Sequence, residues 1–241
     1  MDRQIALQQG WSVIMRNNLM PAKASPYRLS VSRGRYQQHF EASRTRSFRQ
    51  GEQVYSIGTL GICWRVISGS VRLNRTTQNG EVLFANLAVK DDVIGTETLL
   101  MGQYAFCAVA LSDCELVPWP EGLSSASKDS LLYILAAADR RTADVVALRS
   151  GLAIDRVMRL IAMLAKCDEN HDLCFALPKG QDISEITDLT KETISRTVSN
   201  LKYEGMIRKM KIPGHASHRN YIFCGSTVWS TDESSNRDSQ A

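Results

Sequence analysis

Four polar side chains near the C-terminal end of this 241-residue chain recur at a spacing that places them on one helix face: Glu192, Ser195, Arg196 and Ser199. Their chemistry suits the edges of nucleic-acid bases. A guanidinium donates two bonds to O6 and N7 of guanine, a carboxylate accepts from the N4 amino group of cytosine, and a short hydroxyl fits donor or acceptor. Ile194, Val198 and Leu201 follow at i, i+4 and i+7 on the opposite side, the buried stripe such a helix needs.

A helix that touches bases must be held by a second one. Gln181 to Leu189 supplies it. Asp182 reads as its N-cap, with Glu185 three residues on at the capping-box spacing. Ile183 and Ile186 share a face, and Leu189 enters the turn. Thr190 reads as the N-cap of the second helix and Gly205 as its stop. Beyond it, Met206–Lys209 and Asn220–Phe223 read as strands, with Pro213-Gly214 and His215–Arg219 as the loop between them. The pattern is a winged helix-turn-helix.

Charge placement agrees. Asp168 to Asp188 carries six acids against one lysine, whereas Leu189 to Cys224 carries seven Lys/Arg against two Glu. Thr190, Lys191, Thr193, Lys202, Lys209, Lys211 and Arg219 are the candidates for phosphate contacts, which fix a protein on a duplex without reading sequence. The partner expected is double-stranded DNA.

Upstream, no Gly or Pro interrupts Ser127 to Arg149. Leu131, Leu135, Ala138, Thr142 and Val145 are spaced 4-3-4-3, the spacing of a helix-pairing seam. Pairing with a second copy is the expectation; burial against the chain's own strands would use the same pattern. Gly151 should break this helix from the next, whose stripe is Ile154, Val157, Met158, Ile161 and Leu164. Residues 41–122 read as short strands punctuated by glycines, the density of an antiparallel barrel or roll. Gln78-Asn79-Gly80 reads as a hairpin with a type I′ turn. The expected division is an arm (1–40), a β-roll sensor (41–123), a dimerisation helix (124–150), a winged helix-turn-helix (151–224) and a tail (225–241).

Several classes are excluded. No run of 18 apolar residues offers a membrane span, and the N-terminal residues lack the apolar core of a secretion signal. A cytoplasmic protein with no membrane partner is expected. The six cysteines form no C-x-x-C pair and read as free thiols. A metalloenzyme of the cupin kind would need clustered histidines, and 41–122 contains none. Neither a phosphate-cradling glycine loop nor a G-x-S-x-G element is present, so no catalytic residue is assigned.

Thr190-Lys191-Glu192-Thr193-Ile194-Ser195-Arg196, closed by Leu201 and Glu204-Gly205-Met206-Ile207, resembles the helix-turn-helix of the Crp/Fnr family. Gly51-Glu52, Ser68 to Leu73, Gly80-Glu81 and Asp92 to Gly95 are similar, in order, to that family's roll. The resemblance implies an α+β protein with a cyclic-nucleotide-binding-like antiparallel roll, a long dimerisation helix and a C-terminal winged helix-turn-helix. It implies a homodimeric transcription regulator with RNA polymerase as a further partner. The Glu-x-x-Ser-Arg arrangement resembles the Fnr branch, which implies a palindrome of TTGAT-like half-sites about one helical turn apart.

The cofactor is not legible. Members that bind cyclic AMP hold its phosphate with a Gly-Glu pair and an Arg-Ser or Arg-Thr pair. Here Gly95 to Leu100 and Gln103 to Ala108 lack the arginine, so cyclic AMP is not expected. A [4Fe–4S] cluster is not expected either, because no cysteine precedes Cys63. Haem is left open by Cys63, Cys107 and Cys114, without support from any other residue. Cys167, His171 and Cys174 are the weak candidates for a metal; a zinc site would want a fourth ligand, and structural cysteines are the expectation.

Overall fold

Residues 45–120, 128–168, 172–210 and 220–224 are described by the computed structural model. The arm, the tail, His171, Lys211, Arg219 and the 211–219 loop lie outside the described residues.

The alternating apolar residues of the first half form eight strands: β1 (Arg46–Phe48), β2 (Gln53–Tyr55), β3 (Cys63–Ser68), β4 (Ser70–Thr76), β5 (Val82–Val89), β6 (Val93–Ile94), β7 (Cys107–Ala110) and β8 (Cys114–Trp119). They pair antiparallel in two four-stranded sheets, ordered β1-β8-β3-β6 and β2-β7-β4-β5. Val66, Val71, Ala108 and Leu116 are fully sealed between them. A short helix, α1 (Thr98–Met101), interrupts the strands after β6 and was not expected from the sequence.

The β4–β5 turn differs from expectation. Gly80 has φ +80°, but Asn79 does not, so this is not a type I′ turn. The Gly80 N–H donates to Thr77 O (3.0 Å) and the Thr77 N–H to Glu81 O (2.9 Å). This is a three-residue connection, a type I turn closed by a left-handed glycine. Asn-Gly tolerates either solution, and the strand register selects this one.

The second half contains α2 (Lys128–Ala147), α3 (Ala153–Leu164), β9 (Lys166–Cys167), β10 (Leu173–Ala176), α4 (Gly180–Thr187), α5 (Lys191–Tyr203), β11 (Ile207–Lys209) and β12 (Asn220–Phe223). The last four strands named form one sheet, ordered β11-β12-β10-β9. Its β9–β10 half was not anticipated. Gly151, at φ +86°, separates α2 from α3. Val157, Met158 and Ile161 of α3 are buried, and Ile154 and Leu164 pack beside them.

Along α2, Leu131, Leu135, Ala138 and Thr142 are exposed, whereas Val145 is buried. The exposed part of the predicted seam therefore stops at Thr142. Val145 turns inward because the end of α2 is covered by the apolar surface of the roll and of α3. Arg141 Nε and Nη2 also fix α2 to the roll through both carboxylate oxygens of Asp92, at 2.8 and 3.2 Å.

A second apolar cluster joins the halves. Phe84, Leu87 and Leu111 from the roll pack with Val145 of α2, with Leu148 just beyond it, and with buried residues of α3, α4 and α5. Among these, Leu201 has no solvent exposure. Leu201→Ala leaves a cavity that this surface cannot close, and is expected to cost about 2–5 kcal/mol. Denaturant unfolding checks this; a loss below about half a kcal/mol, the size of an ordinary surface substitution, would contradict the packing.

Candidate nucleic-acid interface

The helix pair starts three residues earlier than its capping-box spacing suggests. α4 begins at Gly180 behind Lys179, which makes no side-chain cap. Asp182 sits inside the first turn and not at the N-cap. Its carboxylate accepts from Arg72 Nη1 at 3.2 Å, and Glu185 accepts from Arg72 Nη2. Arg72 lies on β4 and is only 8% exposed. A buried guanidinium demands acceptors more strongly than exposed helix-end amides do, so it takes both carboxylates.

The turn between the helices is tight. Asp188 adopts a left-handed conformation (φ 55°, ψ 44°) at the end of α4. Ser184 Oγ donates to Leu189 O at 2.6 Å across the turn. Thr190 caps α5 as expected: its Oγ1 accepts from the Thr193 N–H at 3.2 Å. At the other end the Met206 N–H donates to Leu201 O and the Gly205 N–H to Lys202 O. With Gly205 at φ +71°, this is a Schellman ending.

Between these caps α5 buries Ile194, Val198 and Leu201 and leaves Glu192, Ser195, Arg196 and Ser199 exposed together. The Glu192 carboxyl lies below its ordinary range. Its own backbone N–H, the Thr190 hydroxyl and the cations Lys191 and Arg196 all favour the charged form. Glu192 is thus a carboxylate near neutral pH, the form that accepts from an amino group. Asn200 is exposed in the next turn, and its Nδ2 donates to Glu204 Oε1 at 2.9 Å. The sequence reading omitted it, although its i+4 spacing from Arg196 was a signal.

The candidate phosphate residues divide. Lys191 and Lys209 are exposed. Thr190 and Thr193 are committed to the cap, with their hydroxyls 3.0 Å apart. Lys202 lies across the Tyr221 ring, its Nζ 5.1 Å from the centroid, which anchors it beside β12.

Cys167 is exposed on β9, opposite Leu173 of β10, while Cys174 is buried. Burial pushes the Cys174 thiol up to about 11, helped by its hydrogen bond to Asp168 and by the acids Asp168 and Asp172. Metal ligation needs the thiolate. Among the described residues no group of three or more His, Cys, Asp or Glu is placed to hold a metal ion.

The roll interior bears on the nucleotide question. Tyr104 stacks on Tyr55 with ring centroids 3.7 Å apart. Its hydroxyl accepts from Trp64 Nε1 (3.0 Å) and the Ile62 N–H (3.1 Å), and donates to Ile62 O (2.8 Å). A Cβ at Gly95 would approach the Tyr104 ring to 2.7 Å, so the ring occupies the space beside that glycine. Glu97 Oε1 already accepts from the Ala105 N–H at 3.1 Å. Gly95 and Glu97 are thus packed against or hydrogen-bonded to neighbours within the roll.

Among the described residues no helix is long and apolar enough to cross a membrane. The cyclic nucleotide-binding domain family matches residues 45–122. The nitrogen fixation regulation protein FixK of Rhizobium meliloti (strain 1021) is 24% identical over 164 residues, covering 67% of this chain and 76% of that protein. A CRP-family transcriptional regulator from Thermus thermophilus superposes with a TM-score of 0.55 at 20% identity, covering 74% of this chain and 91% of that one. FixK2 from Bradyrhizobium japonicum does so at 0.54 and 22%, covering 75% and 92%. The structural likenesses show a shared fold. Taken with the domain match and the sequence relative, they make the chain similar to regulators of the Crp/Fnr family.

Proposed function

We propose that the chain is a sequence-specific DNA-binding transcription regulator and that it acts without catalysis. One observation carries this reading: Glu192, Ser195, Arg196 and Ser199 share an open face of α5, backed by three buried apolar residues and capped at both ends. The named relatives are themselves regulators, which supports the same conclusion.

In this reading α4, α5, β11 and β12 belong to a winged helix-turn-helix spanning 151–224. The roll spans 41–123 and the dimerisation helix 124–150. Arg196 donates to a guanine, Glu192 accepts from a cytosine, and Ser195 and Ser199 adjust to neighbouring bases. Lys191, Lys202, Lys209, Lys211 and Arg219 contact phosphates, while Thr190 and Thr193 bring the N-terminus of α5 to the backbone. The exposed Leu131, Leu135, Ala138 and Thr142 of α2 pair with a second copy. Such a dimer reads a palindrome with TTGAT-like half-sites about 34 Å apart. The protein works in the cytoplasm beside RNA polymerase.

Replacing Glu192 and Arg196 together by Ala removes two base contacts worth about 1–3 kcal/mol each. Affinity for a selected palindrome is expected to fall roughly a hundredfold or more. Binding that kept its strength and its preference for the palindrome over a scrambled duplex would end the proposal. Lys209→Ala is expected to weaken binding to both duplexes alike and to flatten the salt slope by about one, read from titrations at several salt concentrations. Cyclic AMP is expected to leave the melting temperature unchanged. A ligand at about a hundred times its Kd would add about 2.7 kcal/mol, so a rise of several degrees would contradict the filled roll.

A further inference from the structure

One contact belongs neither to the roll's own packing nor to the exposed face of α5. Arg72 sits on β4 with all three guanidinium nitrogens engaged: Nε donates to Asn74 Oδ1 at 2.6 Å, Nη1 to Asp182 at 3.2 Å, and Nη2 to Glu185. The first acceptor is in its own strand. The other two lie 110 and 113 residues away, on α4. The guanidinium carbon also stands 5.8 Å from the centre of the Phe84 ring, and that of Arg149 is 5.6 Å from the same ring.

Arg149 completes the grip. Its Nη2 donates to Glu185 O (2.9 Å) and its Nε to Ile186 O (3.3 Å). Arg156 Nη1 donates to Thr187 O at 3.1 Å. These carbonyls end α4, where the helix leaves them unpaired and its dipole favours positive charge. α4 is therefore held by its side chains to the roll and by its last turn to the segments flanking Gly151.

We propose that Arg72 is a positioning residue for the DNA-reading face: it clamps α4 to the roll and so sets the angle at which α5 is presented. This rests on α5 being the DNA-reading helix. Arg72 touches no base or phosphate in this scheme and acts only through α4. The physical basis is the asymmetry of buried ion pairs. Desolvation offsets most of their attraction, so they add little stability, but their geometry admits few alternatives. Apolar contacts of Phe84 and Leu87 hold the halves together; the fork of Arg72 decides how they are turned.

The test uses the full-length chain. Spin labels enter as unnatural residues at the exposed positions Gln78, at the β4–β5 turn, and Tyr203, at the end of α5. The native thiols then stay unlabelled, and excess unlabelled protein dilutes signals between copies. Arg72→Met removes the fork and keeps the apolar stem. Asp182→Asn with Glu185→Gln removes the acceptors' charge from the other side, and tests the same contact should the first variant fold poorly.

Expected is one narrow Gln78–Tyr203 distance in the unaltered chain and a broadened one in both variants. Affinity for the selected palindrome is expected to drop about tenfold, within the range of ordinary coupling between sites. The salt slope is expected to stay the same, because no phosphate contact is lost. A distance as narrow as in the unaltered chain, or a broadened one with full affinity, would overturn the role of Arg72. Should the unaltered chain bind no duplex while the variants still broaden the distance, the DNA-reading proposal falls and the clamp of α4 stands.

Discussion

A guanidinium withdrawn from water must find acceptors within its own fork, and Arg72 finds them on two bodies. Asn74 comes from its own strand; Asp182 and Glu185 come from a helix more than a hundred residues on. Losing either side would leave a charge in a low-dielectric setting, which costs several kcal/mol. The roll and the helix pair therefore cannot settle their orientations independently. The apolar cluster around Phe84, Leu87 and Leu111 reinforces this, because it is built from both halves at once. The direction of the Glu185 carboxyl fits: burial pushes it up, but Gln181 and the Arg72 guanidinium outweigh that and hold it below its ordinary value.

The same need for acceptors organises the region around Gly151. A helix leaves its last carbonyls without partners, and two helices end close together here. Arg159 Nη1 donates to Ala147 O at 2.9 Å and Ser150 O at 2.6 Å, Arg156 Nε to Gly151 O at 3.0 Å, and Arg149 and Arg156 to the end of α4. Cations at a helix C-terminus also meet the favourable end of its dipole. With its C-terminal carbonyls and two carboxylates taken, α4 has little polar surface left for other work. α5, capped by its own Thr190 and Gly205, keeps its polar face free.

What could be read from the sequence was local. Ile194, Val198 and Leu201 declared the buried side of α5 by period alone, and Thr190 and Gly205 declared its ends, because caps and stripes are set by residues within a few positions. The failures had non-local causes. Asp182 and Glu185 have a spacing that mimics a capping box, but the group that claims them sits on a distant strand, and no local pattern announces it. Val145 continues the α2 seam by spacing, yet turns inward where the roll and α3 cover the end of the helix. Gln78-Asn79-Gly80 signals a hairpin correctly and its turn type wrongly, since flanking register chooses among the turns that Asn-Gly allows. Tyr104 gave no sign of its place beside Gly61 and Gly95; that contact depends on how the two sheets close.

The packing of Tyr104 differs in kind from the contacts at the borders of the roll. A ligand shifts an equilibrium only by binding one arrangement better than another. The space beside Gly95 holds the Tyr104 ring, and its hydroxyl has two donors and an acceptor already. Entry there would require breaking the stack on Tyr55 and three hydrogen bonds before any new contact formed. The borders between elements are held differently. α2 meets the roll through the Asp92–Arg141 pair, and α4 meets it through Arg72. Burial keeps the Asp92 carboxyl above its ordinary value even with Arg141 beside it. Both borders are ionic, partly buried and long-range in sequence. Contacts of that kind fix orientation through a few charged groups, whereas the aromatic interior of the roll is held by stacking and a closed set of hydrogen bonds.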